Sequence, residues 1–220
     1  MSVLVEACVE SLEESLVAQR AGANRLELCD NLAVGGTTPN PELIDAVRAA
    51  VNIPVMVMIR PRGGSFVHSA QELDQMRRDL DMALAHEVDG VVLGILDDKN
   101  AVDAKRVAEF VNLAQGTPVT FHKAFDVIND RRAGLDVLIE AGITRLLTSG
   151  GAPTALEGAD ELAKLVEQSD GRIEIMAGGK VRGSNVGQIV RRAALREVHA
   201  RSERDEAQIR AIVDALSRDT

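Results

Sequence analysis

Three pairs of residues define the chemistry open to this chain. Glu6 and Cys8, Glu27 and Cys29, and Glu197 and His199 each stand two positions apart in short apolar runs, so each pair shares one face of an extended strand. All three pairs are expected at the exit ends of their strands. A carboxylate on such a strand is costly to bury without a partner, and Arg60, His122 and His199 are the nearest residues to supply one. A network of this kind can do acid and base work. His122 can exchange protons near neutral pH, Glu6 or Glu27 can act as base if burial raises its pKa, and Asp126, Glu197 and His199 complete the candidate catalytic set. The competing reading is a buried ionic plug that fixes the fold and binds nothing.

Two further groups suggest ligands. Arg60-Pro61-Arg62-Gly63-Gly64 looks like an anion clamp, because an arginine fork offers several fixed donors and paired glycines let the backbone approach closely. Lys123 adds a charge, while Ser149-Gly150 and Gly178-Gly179 can add backbone donors, so a small phosphorylated or carboxylated molecule is the expected ligand. Ordinary tight connections would look the same. Cys8 and Cys29 lie at equivalent depths of neighbouring strands, where a soft ion such as Cu(I) can bridge two sulfurs, with Met56 and Met58 facing the same way as Arg60. Buried thiols and thioethers that simply fill the core are the alternative.

These residues need a scaffold that gathers strand ends. Apolar runs at 3–8, 25–29, 54–60, 89–95, 117–122, 144–149, 172–177 and 196–199 read as strands. Between them lie amphipathic segments at about 11–22, 40–51, 70–87, 103–115, 130–141, 155–169, 184–194 and 205–217. Ser11 and Ser69 are placed to cap helix starts, and Gly22, Gly116 and Gly142 to follow helix ends. A repeat of about 27 residues predicts a single α/β domain over residues 1–220, a closed (β/α)8 TIM barrel whose site lies at the carboxyl ends of its strands. An open doubly wound sheet fits less well, since no glycine follows the first strand in Cys8-Val9-Glu10-Ser11.

Composition narrows the partners. A formal charge of -9 argues against a nucleic-acid backbone as ligand, and the absence of Trp and Tyr removes most of the platforms on which bases stack. No apolar run approaches the roughly 20 residues that cross a bilayer. Acidic Glu6 and Glu10 near the start read as strand rather than export signal, and two cysteines are too few for a disulfide framework. A cytoplasmic protein is expected.

With these residues in view, the chain resembles the CutC family, associated with copper homeostasis, over nearly its whole length. The resemblance rests on Val5-Glu6-Ala7-Cys8, Gly22-Ala23-Asn24-Arg25-Leu26-Glu27-Leu28-Cys29, Gly35-Gly36-Thr37-Thr38-Pro39 and Ile59-Arg60-Pro61-Arg62-Gly63-Gly64. It continues through Thr120-Phe121-His122-Lys123-Ala124-Phe125-Asp126, Leu147-Thr148-Ser149-Gly150 and Glu197-Val198-His199. It implies a cytoplasmic (β/α)8 barrel that forms homo-oligomers, with a dimer favoured, and it implies copper as the metal. Three departures stand out: Lys123 where the family usually has Arg, Gly178-Gly179-Lys180 in place of a Gly-x-Gly turn, and a short run from Ala200 to Arg204 where relatives carry a longer segment. Two readings therefore remain open, a copper-binding protein using Cys8 and Cys29, and an enzyme acting on a small anionic metabolite.

Overall fold

The computed structural model describes residues 3–202 and 205–218. Eight strands alternate with α-helices: β1 (Leu4–Val9), α1 (Leu12–Arg20), β2 (Arg25–Leu28), α2 (Pro41–Ala50), β3 (Val55–Met58), α3 (Ala70–Ala85), β4 (Gly90–Leu93) and α4 (Ala104–Leu113). The second half repeats the pattern with β5 (Val119–Phe121), α5 (Arg131–Glu140), β6 (Arg145–Thr148), α6 (Ala159–Ser169), β7 (Glu174–Ala177), α7 (Val186–Ala193), β8 (Glu197–Arg201) and α8 (Ala207–Arg218). Each strand pairs in parallel with the next, and β8 closes onto β1 with Glu6 level with His199. The chain is a (β/α)8 barrel.

Local signals act where the spacing places them. Ser11 accepts from the Glu14 N–H, and Ser69 with Glu72 forms a reciprocal capping box at the start of α3. Gly22, Gly116 and Gly142 take φ of 95, 89 and 83°, the left-handed turn that ends a helix without a Cβ clash. The structure departs from the sequence reading mainly at strand exits and at one helix start. β3 stops at Met58 because the Arg60 N–H turns to the Thr38 hydroxyl. Helix α6 starts at Ala159 rather than near 155, since the Ala155 N–H is drawn to the Gly179 carbonyl and holds the preceding segment in turns.

Side-chain alternation then sorts the chain into two layers. Val5, Ala7, Leu26, Leu28, Val55, Val57 and their counterparts pack outward against the helices in one continuous core. Each such Val or Leu side chain contributes about 1.5–3 kcal/mol by leaving water. Inside the barrel, where branched aliphatics usually stack, this chain instead places charged residues and a small separate cluster of Cys8, Cys29, Met56, Met58 and Val92.

Candidate functional site

The charged residues divide into two levels. At the lower level Arg25 and Arg145 open β2 and β6, and Glu197 opens β8. Arg25 Nε donates to Glu6 at 2.5 Å and its Nη2 to Glu197 at 2.6 Å, while Arg145 Nε meets Glu197 at 2.5 Å and its Nη1 reaches Thr120 Oγ1 at 3.3 Å. Carboxylates and guanidiniums alternate in this chain of contacts. Burial raises the Glu197 pKa, but hydrogen bonds from Arg25 and Arg145 outweigh it and lower it. Glu197 therefore sits at the amino end of its strand, inside an ionic plug, and not at the exit with His199.

Glu6 joins the plug to the upper level. One carboxylate oxygen takes Arg25, and the other accepts from His199 Nδ1 at 2.9 Å. Burial alone would raise the Glu6 carboxyl, yet the His199 hydrogen bond and the Arg25 charge hold it down to about 2. Above it, His199 Nε2 lies 3.7 Å from Glu27 Oε2, Cys29 Sγ lies 3.6 Å from the same oxygen, and the two sulfurs are 4.0 Å apart. Register produces this grouping, because Cys8 is level with Glu27 across the β1–β2 ladder. The second carboxylate oxygen of Glu27, Oε1, is buried with no hydrogen-bond partner among the described residues.

Electrostatics at this level favour protonated thiols. The hydrogen bond to Cys29 and then burial push the Cys8 thiol well up, while Cys29, relieved in part by Cys8, is carried up to about 11 by burial and by Glu27. Burial also raises Glu27. Burial opposes charge on His199, but Glu27, Cys8 and Glu6 together raise its pKa well above the usual value.

A cavity of about 420 Å³ opens over this group at the carboxyl face, and Cys8, Glu27, Met58, His122, Lys123 and His199 are among the residues lining it. Cys29 is behind the wall with no exposed surface. A wider cleft of about 690 Å³ lies on the flank between the Arg182–Ser184 segment and α8, and it holds none of the candidate residues.

The anion-clamp residues are mostly occupied. Arg60 donates to the carbonyls of Gly35, Gly36 and Gly64 at 3.0, 3.1 and 2.9 Å, tying the β2–α2 loop to the β3–α3 loop. Arg62 turns away from the cavity to Glu72 at 2.6 Å and to the carbonyls of Gly63, Ser65 and Val67. Lys123 Nζ contacts Asp126 at 2.5 Å and Ser149 Oγ at 2.9 Å. Asp126 in turn accepts from the Thr148 hydroxyl and from the Ser149 and Gly151 N–H groups, and the Gly150 N–H goes to Thr148, so the donors of the loop after β6 are already engaged within the protein. Gly178 gives space to Leu147, since a Cβ there would stand 2.5 Å from it, and a Cβ at Gly179 would come within 3.1 Å of Ser149.

His122 does not join the carboxylates. Its Nδ1 accepts the Ala124 N–H, which leaves the proton on Nε2, and Nε2 is buried without a partner among the described residues. Burial and the charge of Arg60 lower its pKa to about 3, so the ring stays neutral where proton exchange near pH 7 was expected. Phe66 packs against the His122 ring at 5.1 Å and beneath the Arg60 guanidinium at 4.7 Å.

Sequence reasoning missed Arg25, Arg145, Phe66 and Gly94. For Arg25 the signal was present, since Arg25, Glu27 and Cys29 alternate on one face. Gly94 carries no such signal, yet a Cβ there would lie 2.1 Å from the His122 ring.

Fold and site together define a (β/α)8 barrel with a buried thiol, carboxylate and imidazole group under a cavity at its carboxyl face. The chain belongs to the CutC family, whose profile matches residues 3–204. It is 42% identical over 204 residues to the human "Copper homeostasis protein cutC homolog", covering 92% of this chain and 75% of that protein. A CutC family protein of Caulobacter vibrioides is 45% identical over 197 residues, covering 90% and 80%. The crystal structure of a Streptococcus agalactiae protein named for copper homeostasis, CutC, superposes with a TM-score of 0.86 at 39% identity, covering 90% of this chain and 97% of that one.

Proposed function

We propose that this chain serves copper homeostasis in the cytoplasm by holding Cu(I) between Cys8 and Cys29. The observation that carries the reading is the pair of buried free thiols with sulfurs 4.0 Å apart, backed by Met56 and Met58. A metal about 2.3 Å from each sulfur would span roughly 3.8 Å in a tetrahedral arrangement and roughly 4.6 Å in a linear one, so the observed separation fits either with small movement. Thiolate and thioether sulfur suit a soft monovalent ion. Free thiols also suit a reducing compartment. The names of the relatives point the same way.

Binding must displace the thiol protons, which burial holds in place, so Cu(I) affinity rises with pH. Anaerobic titration of the reduced protein against a competing Cu(I) chelator should show tight binding that disappears in the Cys8→Ser/Cys29→Ser variant. Equal affinity in the two proteins would remove this site.

A second reading, turnover of a small anionic metabolite, is favoured by one observation. Arg60 Nε and His122 Nε2 are both buried donors without partners among the described residues, both near Phe66 at the cavity wall. Movement of Phe66 would present them to an oxyanion. His122→Ala should then abolish binding of such a ligand while the protein stays folded.

A further inference from the structure

The cavity presents three metal-ligating groups, and only one of them is shared with the thiol pair. Cys8, Glu27 and His199 each offer an atom within 4.8 Å of the others, and all three line the cavity. Cys29 does not line it. His199 is already oriented for ligation: its Nδ1 is engaged by Glu6 Oε1 at 2.9 Å, which leaves Nε2 toward Glu27. A carboxylate behind a ligating imidazole is the arrangement that fixes ring orientation and raises basicity at metal centres. Arg25 locks that carboxylate from below at 2.5 Å. Glu27 completes the case, because it is 3% exposed and its Oε1 has no hydrogen-bond partner among the described residues. A protein-only plug would leave that acceptor unsatisfied at a cost of about 1–3 kcal/mol, whereas a cation satisfies it.

We propose that Cys8 Sγ, a Glu27 carboxylate oxygen and His199 Nε2 form a three-ligand Zn(II) site whose fourth position faces the cavity. The donor set mixes one thiolate, one imidazole and one carboxylate, which suits a borderline divalent ion better than the two-sulfur pair does. Charge balances, since the two negative ligands neutralise the dication and the imidazole is neutral. The protons of the Cys8 thiol and of His199 Nε2 leave to water in the cavity. Three protein ligands with one open position is the pattern of zinc sites that bind water or a ligand, not of closed structural ones. This site shares Cys8 with the Cu(I) reading but differs from it in using Glu27 and His199 where that reading uses Cys29.

The test is a calorimetric titration of the reduced, metal-free full chain with zinc alone, beside anaerobic Cu(I) titration of the same proteins. Wild type should take one equivalent of zinc, and His199→Ala and Glu27→Gln should each weaken it by about 100-fold or more while both variants still bind Cu(I). Cys29→Ser should do the reverse. Unchanged zinc affinity in His199→Ala and Glu27→Gln overturns the site, as does equal zinc loss in Cys29→Ser and Cys8→Ser. Should those variants misfold, Co(II) bound to wild type should give intense tetrahedral visible bands and a sulfur charge-transfer band that is absent in Cys8→Ser; weak octahedral bands overturn the proposal. Cu(I) binding without zinc binding refutes this site alone, and zinc binding without Cu(I) binding refutes only the thiol-pair reading.

Discussion

Lys180 takes φ of 54°, the left-handed region that costs an L-residue roughly 1 kcal/mol, at the turn after β7. Its carbonyl accepts from Asn185, which holds the turn in that shape. Lys180→Gly should therefore stabilise the fold by up to about 0.5 kcal/mol, the relief of strain being partly offset by the greater freedom of glycine in the unfolded chain. Thermal unfolding checks it, and a lowered Tm would show that the lysine side chain does more than occupy the turn. At the same scale Lys123 ties the loop after β5 to the loop after β6 through Asp126 and Ser149.

Among the elements, the loops rather than the strands decide the shape of the cavity. Arg60 holds two of them together through backbone carbonyls, a task the side-chain type makes feasible but the sequence does not announce. Arg60→Ala should raise amide hydrogen exchange in residues 32–38 and 62–67 while leaving α5 and α6 unchanged; uniform exchange would show that the loops hold themselves. Helices and their caps were legible because period and capping are local. The turns at 151–158 were not, because the Gly179 carbonyl that holds Ala155 belongs to another repeat. Residues Glu203 and Arg204 of the short β8–α8 connection lie outside the described residues.

For the whole molecule, the ionic plug is the feature on which the barrel interior depends. Arg25 touches both Glu6 and Glu197, so Arg25→Met takes from each of two buried carboxylates one of its cationic partners, leaving Glu6 with His199 and Glu197 with Arg145, and should destabilise by up to about 3–5 kcal/mol in chemical denaturation. Adding Glu6→Gln and Glu197→Gln to that variant should recover part of the loss; no recovery would mean that packing, not charge, explains the cost. Acid tests the same network. The Glu6 pKa is depressed from 4.5 to about 2 on folding, so its contribution is intact above about pH 4.5 and is lost as pH falls from there to about 2, with Glu197 shifted in the same direction. Unfolding should become steeply pH-dependent in that window in wild type and flatter in Glu6→Gln.

Local periodicity and capping were sufficient to specify the barrel, the order of its elements and the face on which Glu6, Cys8, Arg25, Glu27, Cys29 and His199 lie, because alternation along a strand needs no distant partner. Pairing was a different matter. Whether Glu6 met Arg60, His122 or Arg25 depended on strand register around a closed ring, and Glu197 fell to the lower level because β8 begins there. The same closure left the arginine fork satisfied by loop carbonyls and brought Cys8, Glu27 and His199 together under the cavity. Contacts between repeats nearly two hundred residues apart are a property of the closed barrel, and only the tertiary structure could assign them.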